Sequence, residues 1–353
     1  MSLLSQLRAV TTIDIDSMDP GIALHHGPFH DMTSNQGIVY FQAVDPVNAS
    51  VIDEAIQYVR ETDSNDLSRD SDQFLQDVVD VITVLLAREV YPHLEGRVHA
   101  QTSPSYASST EYTIAHAKRL VDLFDAHGIL KSRVCIKIPA TPASIPACEA
   151  LHDEGISTLA TCVFSVAQSV AAAHAGCTYV APYFNELRVH FDPSTWIEYS
   201  DTAGAHPMIP VIRSIIASLS GSKTLVMPAS IVSVPEVLAL AALRPNHLTL
   251  SAPLLTKLDA LPAILEEQLR LAEPHTTEPT LFNIISVLTF DTSSRADAIL
   301  LYAPSRRSLE DAFAADAELT RKVSDALAIF GECERETREF VRGVLAAERM
   351  RNT

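Results

Sequence analysis

RVCIKIPAT, residues 133–141, sets a lysine among apolar neighbours. Val134, Cys135 and Ile136 precede Lys137, and Ile138 and Pro139 follow it. The run 133–138 reads as a buried strand. A free ammonium inside such a strand is expensive to bury, and the chain has only six lysines to place. Alternation along the strand puts Lys137 on the side of Cys135 and opposite Ile136 and Ile138.

Outward from that strand, short β-rich runs alternate with amphipathic helical ones. The other strand candidates are 10–15, 31–34, 97–102, 157–163, 178–182, 224–228 and 247–251. Helical stretches fall at 72–90, 109–126, 142–153, 165–175, 207–219 and 233–242. In DQFLQDVVDVITVLL, Phe74, Leu75, Val78, Val79, Val81, Ile82 and Leu85 make one broad apolar face. Eight strands, each followed by a helix or an irregular segment, imply a parallel sheet buried on both faces. Their number and the short loops favour an α/β fold of the closed (β/α)8 TIM-barrel type. The expected organisation is a barrel over 1–272 and a C-terminal helical extension over 273–353, whose final charged helix near 308–348 packs on the barrel. If Ile136 and Ile138 face the helix layer, Lys137 points into the barrel.

The composition narrows the function. The net charge is −18, and no basic run interrupts it, which argues against nucleic acid or an anionic membrane as partner. No apolar stretch is long and clean enough to span a bilayer, and no phosphate loop of the GxGxxG or GxxxxGK[ST] type follows a strand. The N-terminus is too short and interrupted for a signal peptide. Five cysteines without CxxC spacing read as buried thiols of a reduced compartment, so a cytoplasmic location is expected. His25, His26 and His30 lack a third ligand at metal spacing and read as loop residues. No metal and no cofactor is expected.

In a barrel of this kind, chemistry sits at the C-terminal strand ends. Those ends carry Asp14 and Asp16, Asn35, Gln101, Lys137, Thr161, Tyr183, Ser230 and Ser251. Burial would lower the pKa of Lys137 and leave a neutral amine. Such an amine can attack a carbonyl to form a Schiff base, whose protonated form is an electron sink for breaking or making the adjacent C–C bond. Asp16, Gln101 and Tyr183 are the polar groups at hand to move protons or hold a water. From the pattern alone, a lysine that snorkels to solvent or pairs with Asp16 is an equally good reading.

The set resembles the transaldolase family, including its fructose-6-phosphate-aldolase branch. The matching stretches are DIDSMD, DMTSNQGIV, CIKIPAT, EGISTLATCVFSVAQSVAAAHAGCTYVAPYFNEL, VMPASIVSVPEVLALA and HLTLSAPLLTKL, in family order over roughly residues 10–260. The resemblance implies that Lys137 is the Schiff-base lysine and Asp16 the proton-transfer carboxylate, with Asn35, Thr161 and Ser230 lining the site. Gln101 and Tyr183, where true transaldolases carry glutamate and phenylalanine, look like the aldolase branch. Glu186 stands where the family has a phosphate-binding arginine, and Val232 where relatives carry another basic residue. Arg188 is two residues away, about 6–7 Å along an extended segment. Since glutamate repels a phosphate that arginine would bind, recognition of sugar phosphates is expected to be altered or lost. The expected ligand is a small carbonyl or sugar compound, with a homodimer left open. A conventional pentose-phosphate transaldolase and a catalytically silent binding barrel remain as alternatives at this stage.

Overall fold

The computed structural model describes residues 1–62, 71–264 and 306–351. Seven strands form in the order expected: β1 (Thr12–Ile15), β2 (Val98–Gln101), β3 (Val134–Pro139), β4 (Ser157–Val163), β5 (Tyr179–Pro182), β6 (Leu225–Val226) and β7 (His247–Leu250). All pairings between them are parallel, with β2 to β6 consecutive and β1 beside β7. The candidate strand at 31–34 shrinks to bridges at Met32, which pairs with Ile15 on one side and Val98 on the other. Its backbone still completes both ladders. Ile15 N–H donates to the Asp31 carbonyl at 3.0 Å, and His99 N–H donates to the Met32 carbonyl at 2.8 Å.

The remaining gap, between β6 and β7, is bridged partly by a side chain. Val226 N–H donates to Asn246 Oδ1 at 2.8 Å, and a longer bond runs from Thr249 N–H to the Pro228 carbonyl at 3.4 Å. Together these contacts close an α/β barrel. The register sets Gln101 and Leu159 beside Lys137 and pairs Thr161 with Pro139. A register shift between Ala160 and Val163 of β4 coincides with a left-handed Cys162 (φ 55°), as at a β-bulge near a barrel rim.

The helix Asp72–Val90, capped by Ser71, buries more than the one face its periodicity implies. Gln76, Asp80 and Thr83 are buried as well. The reason is a second layer: the helix Ala317–Arg351, about 52 Å long at 1.5 Å per residue, lies over it and over Gln36–Ala43. The charged helix expected near 308–348 is in fact two, Arg306–Ala315 and Ala317–Arg351. Asp316 separates them, its side chain accepting the Leu319 N–H at 2.9 Å, as an N-cap does. The expected boundary at 272/273 lies outside the described residues.

Candidate active site

The inward residues of the strands form two levels. At the lower level, Asp14 is fully buried, accepts the Asp31 N–H at 2.8 Å and pairs with His247 Nδ1 at 2.7 Å. Asp31 pairs with His99 Nε2 at 2.9 Å. Burial pushes the Asp14 carboxyl up, against the pull of His247. Burial works the same way on Asp31, but there the bond and charge of His99 prevail and its pKa falls. Asp14, one of the strand-end candidates, is held in this network and is not on the wall of the cavity above it.

The upper level opens into a cavity of about 320 Å³. Asp16, Asn35, Lys137, Tyr183, Ser230 and Ser251 are on its wall, so the structure brings these strand-end residues together. Lys137 is only 2% exposed. Desolvation lowers its pKa from the ordinary lysine value, with the Asp16 charge opposing. Asp16 is held by Thr33, whose hydroxyl donates to Oδ1 at 2.6 Å and lies 2.6 Å from the Thr249 hydroxyl. Tyr183 OH accepts from Thr161 Oγ1 at 3.1 Å. Burial raises the phenol well above its usual value, so it keeps its proton at neutral pH. Thr161 therefore stands behind Tyr183 and off the cavity wall.

Gln101 faces elsewhere. Its Nε2 donates to Gln36 Oε1 at 2.6 Å, and its own Oε1 is buried without a partner. It borders a separate polar cavity of about 20 Å³, beside Asp80, His116 and Glu334. That is room for about one water, and Gln101 Oε1 is an acceptor available to hold it.

Glu186 and Arg188 are also absent from the wall. Glu186 makes a two-pronged ion pair with Arg321 (3.0 and 2.7 Å), and Arg188 pairs with Asp325 through Nε at 3.0 Å and through Nη2. Both latch the turn Leu187–His190 to the C-terminal helix. The position expected to repel phosphate is instead committed to holding that helix.

The sequence reading missed Thr33, Thr249, His190, Phe41 and Phe191. His190 and both phenylalanines are on the wall, delivered by a 3₁₀ turn and by a helix that no strand-end argument reaches. His190 Nε2 lies 2.9 Å from Ser230 Oγ, and Ser230 holds a left-handed backbone (φ 59°). His190 is exposed, yet desolvation lowers its pKa, with Asp16 pulling the other way. Beneath Ser230 a buried carboxylate gathers the loop. Glu236 accepts from Val232 N–H (2.8 Å), Asn185 Nδ2 (2.9 Å) and Trp196 Nε1 (2.8 Å).

A family model described as Transaldolase/Fructose-6-phosphate aldolase matches residues 10–302. The chain belongs to that family. A transaldolase from Methylobacillus flagellatus is 33% identical over 270 residues, covering 76% of this chain and 82% of that one. One from Alteromonas mediterranea is 33% identical over 269 residues, covering 76% and 82%. One from a Marinomonas species is 29% identical over 344 residues, covering 97% and 99%. The family makes the chain an enzyme of the aldolase/transferase type on a TIM barrel. Among the described residues, no helix is long and apolar enough to cross a membrane.

Proposed function

We propose that the chain is a Schiff-base aldolase or transaldolase whose recognition of sugar phosphates is altered or lost. The observation that carries the first half is Lys137, a 2%-exposed amine opening on the 320 Å³ cavity with its pKa lowered by burial. Once deprotonated, its Nζ adds to the carbonyl carbon of a ketone donor, and loss of water gives a protonated imine. Asp16 accepts the proton of the hydroxyl one carbon beyond the bond to be cut. As that bond breaks, its electrons pass to the imine, leaving an enamine and an aldehyde. Addition of a second aldehyde to the enamine forms a new C–C bond. Alternatively, protonation of the enamine followed by hydrolysis releases the donor and restores the amine. Tyr183, its hydroxyl positioned by Thr161, is the group we assign to the water-dependent steps. Asn35 and Ser230 bind substrate oxygens in this reading. The imine is the electron sink, so no metal is required.

The second half is supported by Arg188 and Arg321 being paired with Asp325 and Glu186, and by both arginines standing off the cavity wall. All five cysteines are buried and unpaired, which suits a cytoplasmic enzyme.

Borohydride reduction in the presence of hydroxyacetone tests the chemistry. A mass adduct on Lys137, missing in Lys137→Met, is expected. No adduct with any small hydroxyketone, or an equal adduct in the variant, would sink the reading. Comparing kcat/KM for fructose and fructose 6-phosphate, in wild type and Glu186→Arg, tests the phosphate argument. A strong native preference for the phosphate ester would return the enzyme to conventional transaldolase activity.

A further inference from the structure

The cavity lining spans a wide range of exposure. Lys137 and Tyr183 at the floor are each 2% exposed, whereas Phe41 and Phe191 at the rim are 55% and 40% exposed. Ile38, Phe41, Leu187, Phe191, Ile231 and Pro253 are among the apolar residues of the wall. The two phenylalanine rings come from different elements and stack at 6.1 Å between centroids, inclined by 26°. Their seat is shaped by Gly37, where a Cβ would come 3.1 Å from Phe191 Cζ. The missing side chain lets the ring lie against the first turn of the helix Gln36–Ala43. Large exposed apolar side chains beside a concave polar site are the usual mark of ligand contact.

The same wall offers an anion almost nothing. Lys137 is the sole lysine or arginine among its described lining residues, and it sits at the floor. Arg188 and Arg321 are bound to Asp325 and Glu186. The Val232 N–H, in the loop that carries Ser230 and Ile231, is donated to Glu236. A phosphate among the apolar groups would be desolvated without compensation, whereas an aromatic or branched group gains by burial there.

We propose that the acceptor taken at the rim is an unphosphorylated aldehyde bearing an aromatic or branched apolar group, held against Phe41 and Phe191. This rests on the Schiff-base reading for its chemistry. The enamine carbon on Lys137 bonds to the aldehyde carbon, whose oxygen takes up a proton. Water then hydrolyses the resulting imine, releasing a β-hydroxyketone with an apolar tail and the free amine. Asp16, the group assigned to take that hydroxyl's proton in cleavage, returns it in this direction.

Binding of two probes without a carbonyl group tests the acceptor class separately from imine formation. Calorimetric titration of 3-phenylpropane-1,2-diol and glycerol 3-phosphate should show the diol binding about 10-fold more tightly, and Phe191→Ala should weaken it by about 10-fold, the scale of one lost aromatic contact. Phe41→Ala, at a more exposed position, should weaken it in the same direction and guards against a folding defect. Tighter binding of glycerol 3-phosphate, no binding of the diol, or equal diol binding by wild type and both variants would overturn the proposal. A failed borohydride trap bears on the Schiff base alone.

Discussion

Glu236→Ala should destabilise the protein more than its distance from Lys137 suggests. Glu236 is 2% exposed and accepts three hydrogen bonds of 2.8–2.9 Å from Val232, Asn185 and Trp196. Truncation strands three donors, and each costs about 1–3 kcal/mol when it stays buried and unpaired. Val232 and Trp196 are only half-buried, so water reaches part of the gap, and the net loss should be about 3–5 kcal/mol. Glu236→Gln keeps one acceptor oxygen but turns an amide N–H₂ toward a donor, for a loss of about 1–2 kcal/mol. The damage should extend to the site, because Asn185 Nδ2 also donates to the Ser230 carbonyl at 3.0 Å and Ser230 holds His190. Urea unfolding followed by far-UV circular dichroism, with Trp196 (the chain's one tryptophan) as a local fluorescent reporter, measures both substitutions. Superimposable transitions license the free-energy comparison. A loss below about 1 kcal/mol for Glu236→Ala would refute the claim that this carboxylate organises the loop.

Two further outcomes follow from the titrating groups on the wall. The pKa of His190 is lowered by its packed surroundings, so its imidazole stays neutral below the ordinary histidine value near 6.5; an acid limb of kcat/KM should lie below that pH and shift in His190→Asn. Lys137 prefers its ammonium form more in the unfolded chain than in the fold, because burial lowers its folded pKa. The unfolded chain therefore binds more protons between the two values, and this contribution to stability rises with pH toward about 10.4. Lys137→Met should raise stability at neutral pH and lose that part of the pH dependence in urea titrations.

The barrel was legible because its strands are apolar runs whose partners are set by sequence order. The one at 31–34 was harder to size, since Met32 joins both neighbours through isolated bridges. Asp16, Asn35, Lys137, Tyr183 and Ser230 could be gathered by the rule that strand ends face one rim. That rule does not separate levels within the barrel, so Asp14, one pleat repeat below Asp16, was grouped with it although His247 claims it. It is equally silent on loops that fold back. Glu186 and Arg188 were weighed as phosphate groups because nothing local shows that Arg321 and Asp325, more than 130 positions later, return to pair with them. His190 and Phe191 were invisible for the same reason. Their place on the wall depends on the turn Leu187–His190 being pinned under the C-terminal helix, a contact between distant parts of the chain.

The account rests on burial making Lys137 easier to deprotonate than an ordinary lysine. Direct titration of its side chain, by competitive labelling at a series of pH values with Lys137 identified by mass spectrometry, addresses that claim. The account predicts a pKa below the ordinary lysine value of about 10.4; a value at or above it would contradict the claim and favour an ammonium simply paired with Asp16.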